Sequence, residues 1–373
     1  PFQPQLAFDH WVTFPHGHTT SFYNNDVIDC DKTYNFTGHT VDFFTDKTIE
    51  YLEHQVGEED PFFAFIPFNG PYGHWPAIKG RPDFDLADVY DTAEMRSIPR
   101  EGLSSEVLDR FGLRVAEGGV REQFKGPLLL PNNLESLRNY FAQVSLIDSG
   151  VGKIISTLKR LNMDENTIVI YTSDHGFSLG HNGIWGHGAA AFPSSAHRPS
   201  YNIPLIFSGA GVAENSVSDG FVSQIDLFPT LVSLVKSKDV QPSLPSSAID
   251  LGPTLRQEGD CLRDAVFYEQ EETRVIRTHD WVYAMRFQGA LKYPIQNALY
   301  SLKDDLNEKI NLSGLAKFAN VEAQLKAQIS SYFAAYSDPK YDLWNGGTAK
   351  SNVAFQALWQ DAWGHDWLPE HST

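Results

Sequence analysis

One stretch constrains the fold of this 373-residue chain more than any other. From Leu134 to Leu161 apolar residues recur at helical intervals: Leu134, Leu137, Tyr140, Phe141, Val144, Ile147, Val151, Ile154, Ile155 and Leu158. Asn132 or Asn133 stands where an N-cap belongs. After a short link the period changes. Thr167-Ile168-Val169-Ile170-Tyr171-Thr172 is β-branched and apolar throughout, which reads as a buried strand. Helix, link and buried strand form half of a parallel α/β unit. Pro204 to Phe207 reads as a second such strand, and Ile225 to Leu234 as a further helix with Pro229 near its start.

The rest of the chain fills in around that unit. Thr40 to Glu53 has near-helical apolar spacing with Asp42 and Asp46 near its start, where acids suit the helix dipole. Pro61 to Phe68 is an almost wholly apolar run closed by Asn69-Gly70-Pro71, and its length predicts a buried strand. Residues 79–130 show weak periodicity and many charges, as expected of a long excursion with short helices. Beyond about Ser237 the character shifts to Pro, Ser and Gly. Short alternating runs follow at Ala265–Tyr268, Val275–Thr278 and Trp281–Met285, then a helical pattern over Leu315–Tyr336. The expected organisation is an α/β domain over 1–237 and a smaller α+β domain and tail over 238–373.

Composition excludes several classes. With 29 Lys+Arg against 47 Asp+Glu the formal charge is −18, so a basic face for nucleic acid or an anionic membrane is not expected. The 42% hydrophobic and 13% aromatic content is that of a globular chain rather than a disordered one. Two cysteines, Cys30 and Cys261, are too few for a disulfide scaffold or a Cys-rich zinc site. No apolar run reaches the roughly 18–20 residues of a membrane span. Pro1 to Gln5 carries neither a basic nor an apolar leader pattern, and there is no initiator Met. The reading is a chain that begins inside something larger or after processing.

The chemistry gathers just after the Thr167–Thr172 strand, in Ser173-Asp174-His175-Gly176 and the Gly-rich stretch through His181 to His187. In open sheets, ligands bind beyond the carboxyl ends of strands. Asp174 offers carboxylate oxygens and His175 an imidazole nitrogen, which together suit a divalent cation. A polar turn with no ligand is the alternative for the same residues.

These motifs resemble the sulfatase family of the alkaline phosphatase superfamily. The resemblance rests on the Asp-His strand end followed by Leu179-Gly180-His181-Asn182-Gly183-Ile184-Trp185-Gly186. It extends in order through Val41–Asp46, Phe68–Pro76, Tyr140–Leu158, Ile203–Ile206, Ile225–Thr230, Leu299–Leu302, Glu308 and Asn311-Leu312. It implies an alkaline-phosphatase-like fold with a mostly parallel central sheet flanked by helices. It makes Asp174 and His175 metal ligands in a site that usually holds calcium. Imidazole is a poor partner for a hard cation, so magnesium or manganese stays open. His187 falls where the family commonly has a sulfate-contacting lysine, and could serve as imidazolium or as an N–H donor. His74 matches the histidine near the leaving-group oxygen. His181 would line the site, and Arg198, beside His197, would suit an anionic group. His16-Gly17-His18 could border the substrate pocket, although such a pair also arises by chance among 13 histidines.

One part of the pattern is missing. The family's nucleophile is a formylglycine made from a Cys/Ser-x-Pro-x-Arg pentapeptide, and neither Cys30 nor Cys261 is followed by one. Ser97-Ile98-Pro99-Arg100 brings its Arg one residue early. The expectation is therefore a sulfatase acting on a sulfated saccharide, inactive as this chain alone and completed by an N-terminal segment that carries the formylglycine. A phosphodiesterase or phosphonate monoester hydrolase, and a non-catalytic sulfatase-like fragment, are the alternatives. A periplasmic or secreted location is expected. The sequons Asn35-Phe36-Thr37 and Asn311-Leu312-Ser313 matter only in a secretory eukaryote.

Overall fold

The computed structural model describes residues 8–15, 21–71, 85–101, 133–187, 194–235, 246–259, 263–270, 272–287 and 296–347. These fall into two compact units, one built from the residues up to Arg100 and from 133–167, the other from Glu101 and the residues from Ile168 onward.

The first unit pairs two helices with a small sheet. Helix α1 (Thr40–His54) starts at His39, whose Nδ1 accepts from Val41 N at 3.1 Å. Helix α2 (Leu134–Arg160) starts at Asn133, whose Oδ1 accepts from Ser136 N at 3.1 Å. Lys159 and Arg160 in its last turn oppose the negative end of the dipole. Of the apolar stripe read from the sequence, Leu137, Ile147, Ile154 and Leu158 are buried, together with Ala142, Leu146 and Gly150, which the stripe did not include. Val41 of α1 joins Leu146 and Ile147 of α2, with Phe68 and Val151 against them. Val144, counted in that stripe, is 39% exposed. Strands β1 (Val12–Thr13), β2 (Asn25–Asp29) and β3 (Lys32–Phe36) form an antiparallel sheet. Its Val27 packs with Phe14 and with Phe43 from α1.

The expected buried strand over 61–68 is not formed. The segment joins no described sheet, and Phe63 and Phe65 are 63% and 69% exposed. Pro61 and Pro67 remove two of the N–H donors a ladder would use. Of the 79–130 excursion, only residues 85–101 are described, and they include one short 3-10 helix at Asp85–Tyr90.

The second unit holds the strand that carries the site. Strand β4 (Ile168–Thr172) pairs with β5 (Leu205–Gly209) in antiparallel register, Ile168 opposite Gly209 and Thr172 opposite Leu205. The parallel arrangement expected for these two strands is thus corrected. An antiparallel pair brings the end of β4 beside the start of β5, so the connecting loop leaves and re-enters at one edge without a crossover helix. Among the described residues of that connection, the α-helical part is the four-residue α3 (Arg198–Tyr201), besides a 3-10 turn at His181–Gly183. Helix α4 (Leu227–Leu234) follows, entered through a 3-10 turn at Gln224–Asp226. There Ser223 and Asp226 cap each other reciprocally. The short α5 (Gly252–Leu255) lies beyond it.

Strands β6 (Ala265–Gln270), β7 (Thr273–Thr278), β8 (Trp281–Arg286) and β9 (Ala298–Ser301) make an antiparallel meander. Its residues alternate between two cores, as the two-residue period requires. Ile276, Tyr283, Met285 and Leu299 meet Leu325, Ile329 and Phe333 of helix α6 (Ala319–Tyr336). Val275, Val282, Ala284, Ala298 and Tyr300 face the other side with Ala196. A helix against an antiparallel sheet is the α+β arrangement expected for this part of the chain.

Candidate active site

Strand β4 ends at Thr172, and the next residues form a tight loop. Ser173 Oγ donates to the carbonyl of His175 at 2.8 Å, and Gln224 Nε2 donates to the carbonyl of Ser173 at 2.5 Å. Asp174 Oδ1 accepts from His175 N at 2.9 Å, while its side chain stays 85% exposed. The stretch after His175 is pinned twice, by Gly176 N donating to Ser200 O at 3.0 Å and by Ser178 N donating to Gly186 O at 2.8 Å. Trp185, buried against Phe177, fills its interior. Gly180, Gly183 and Gly186 all have positive φ, so the stretch is glycine-rich because its path needs left-handed backbone.

The loop brings three of the sequence-derived site residues together. The rings of His175 and His187 stack with centroids 3.6 Å apart. His175 Nε2 lies 3.7 Å from Asp174 Oδ2. His175 Nδ1 is 2.9 Å from Gly176 O, and a carbonyl only accepts, so Nδ1 carries the proton and Nε2 is the ring atom with which His175 could ligate a cation. Two donors on one cation, with bonds of about 2.0–2.6 Å, sit about 3–4 Å apart. Asp174 and His175 therefore fit two adjacent corners of a divalent-cation shell. Burial pulls the His187 imidazole down to about 4, helped by His175 and partly offset by Asp174. A neutral ring is the better match to the N–H donor role than to imidazolium.

His181 and Arg198 are placed differently. His181 sits in a short 3-10 turn, and its Nδ1 bonds the carbonyl of Ser178 at 2.8 Å. Arg198 opens α3, with its Nε on Asn202 Oδ1 at 3.4 Å. His74, His16, His18 and Cys261 lie outside the described residues.

Glu308 has a part that sequence reasoning did not assign. It was visible only as a landmark of the resemblance. Its side chain is almost wholly buried, and its carboxylate takes Arg277 Nη1 at 2.6 Å, Arg198 N at 2.9 Å and His197 Nδ1 at 3.3 Å. Burial pushes its carboxyl up, but the bonds from His197 and Arg277 outweigh that and hold it below the usual carboxylate range. The Glu308 carbonyl also accepts from Asn182 Nδ2 at 3.2 Å, and Asn182 N donates to Glu101 at 2.6 Å. Glu308 thus anchors both the loop carrying His181 and the start of α3.

Comparison with known proteins places this geometry in context. A family model described as Sulfatase matches residues 2–237. The chain is 24% identical over 394 residues to an N-acetylglucosamine-6-O-sulfatase of Bacteroides thetaiotaomicron, covering 90% of this chain and 69% of that protein. It is 24% identical to arylsulfatase K of Rattus norvegicus, covering 88% of this chain and 62% of that one. The chain thus spans only about two thirds of the length of these relatives. Among solved structures, one described in complex with its substrate D-glucosamine-2-N,6-O-disulfate superposes with a TM-score of 0.62 at 21% identity, covering 89% of this chain and 77% of that one. That likeness is one of fold, an alkaline-phosphatase-like α/β architecture.

Proposed function

This chain belongs to the sulfatase family, and we propose that it forms the body of a sulfuric ester hydrolase acting on a sulfated carbohydrate. The observation that carries the reading is the Asp174–His175 pair at the end of β4, with His187 stacked on it, inside the matched segment. Support for a sugar comes from the relatives, one named for N-acetylglucosamine 6-O-sulfate and one structure holding a glucosamine disulfate.

In this reading Asp174 and His175 hold a divalent cation: calcium, with magnesium or manganese as the alternatives. When bound, the cation supplies positive charge that polarises the ester and steadies the negative charge developing on its oxygens. The nucleophile is a formylglycine located outside these 373 residues, since none of them forms the required pentapeptide. His187, half-buried and with its imidazole held neutral, donates an N–H to a sulfate oxygen. His74 is assigned to the leaving-group oxygen on its sequence match alone. His181 lines the site, and Arg198 binds an anionic group of the saccharide beyond the reacting ester. The enzyme works in the periplasm or outside the cell.

The test is turnover by the protein carrying its nucleophile, on N-acetylglucosamine 6-sulfate and on matched aryl sulfate and aryl phosphate esters. Release of sulfate from the sugar supports the reading. Preferential hydrolysis of the phosphate ester would instead favour a phosphodiesterase or phosphonate monoester hydrolase.

A further inference from the structure

The hairpin of the first unit gathers three side chains that the sulfate-ester reading does not use. His10, Asp29 and Cys30 each offer one ligand atom, and all three atoms lie within 4.8 Å of one another. The backbone explains the gathering. β1 pairs with β2 so that Val12 lies opposite Asp29, and Cys30 N donates to Trp11 O at 2.9 Å, which brings His10 alongside the turn. Cys30 and Asp31 form the two-residue link between Asp29 and Lys32, and Cys30 holds φ at 53°. That left-handed conformation is uncommon for any residue with a Cβ.

We propose that His10, Asp29 and Cys30 form a zinc site, separate from the Asp174–His175 pair. Cys30 Sγ and His10 Nδ1 are 3.5 Å apart. A tetrahedral zinc with Zn–S of about 2.3 Å and Zn–N of about 2.0–2.1 Å requires an S–N edge of about 3.5 Å. Thiolate, imidazole and carboxylate together select zinc over calcium or magnesium, which take oxygen ligands. Three protein donors leave the fourth corner to water. Asp29 Oδ2 lies 2.9 Å from Lys47 Nζ, which also holds Glu50, so the ammonium steadies the carboxylate that would bind the metal. The His10 ring leans on Tyr51, with centroids 5.5 Å apart, which limits its rotation. On binding, the Cys30 thiol gives its proton to solvent as the zinc–sulfur bond forms, with no change of oxidation state.

The experiment is a titration of the purified chain with Co²⁺, a zinc surrogate whose thiolate charge-transfer band reports sulfur ligation. The expected result is a band saturating at one equivalent, displaced by Zn²⁺, absent in Cys30→Ser and unchanged in Cys261→Ser and Asp174→Asn. His10→Ala should weaken binding by about tenfold or more. Zn²⁺ should also protect Cys30 from alkylation in the wild-type chain, a readout independent of whether any variant folds. No thiolate band, a band that survives Cys30→Ser, or equal affinity in a folded His10→Ala variant would each overturn the site.

Discussion

The carboxylate of Glu308 accepts a 2.9 Å hydrogen bond from the backbone N–H of Arg198, joining residues 110 positions apart at the start of α3. The same carboxylate is paired with Arg277 at 2.6 Å, and both partners are largely shielded from water. Removing one partner of such a pair leaves the other buried and uncompensated.

Glu308→Ala should therefore destabilise the chain by about 3–5 kcal/mol, measured by urea unfolding. The pH dependence has a definite sign. The folded-state pKa of Glu308 is lowered, so its contribution is present above the unfolded value near 4.5 and is lost as pH falls through the folded one. Wild-type stability should drop in that acid window, and the variant's stability should fall less steeply there. Parallel curves for the two proteins would show that Glu308 does not carry this dependence.

Asp174→Asn should separate cation binding from folding. The side chain is 85% exposed, so without added metal the variant should melt within about 0.5 kcal/mol of wild type. Calcium at one hundred times its dissociation constant should stabilise wild type by about 2.7 kcal/mol and the variant much less. Melting curves with and without calcium, magnesium and manganese decide the matter, and equal stabilisation of both proteins would remove Asp174 from the ligand set.

Gly176→Ala should disturb the site without touching a ligand. A Cβ at this position would lie 2.1 Å from the carbonyl oxygen of Pro199, a backbone atom that cannot swing away. The strand-end loop and α3 would have to part, at a cost of about 1–3 kcal/mol. Cation affinity, measured by calorimetry, should fall with stability because His175 Nδ1 is held by the Gly176 carbonyl.

Gly150→Ala tests the close approach of α1 and α2. The added methyl would meet Thr45 Oγ1 at 2.5 Å, and the next nearest atom, Val41 Cγ1, lies at 3.6 Å. The substitution should cost about 1–3 kcal/mol in wild type. In a Thr45→Ala background the clash is gone, so most of that cost should disappear. A double-mutant cycle with no coupling would contradict the packing.

Local patterns in the sequence determined most of the elements. The period of Leu134–Leu161 yields α2 to within one residue, because a face that must pack sets its own spacing. The β-branched run after it yields β4, and the alternation in 265–285 yields the two-faced meander. The Asp174–His175 pair was legible for the same reason: its two members are adjacent in the chain, and the strand before them says where they stand. What depends on a distant partner was decided only by tertiary structure. Pairing direction is one such property, since β4 and β5 look alike whichever way they run, and the loop between them settles it. The 61–68 run is another, because apolar character predicts burial only where a neighbouring strand completes the ladder. The anchoring by Glu308 and the meeting of His10 with Cys30 are the clearest cases. A charge or a thiol acquires its chemistry from what folding places within about 3–4 Å of it, and no local pattern encodes that distance.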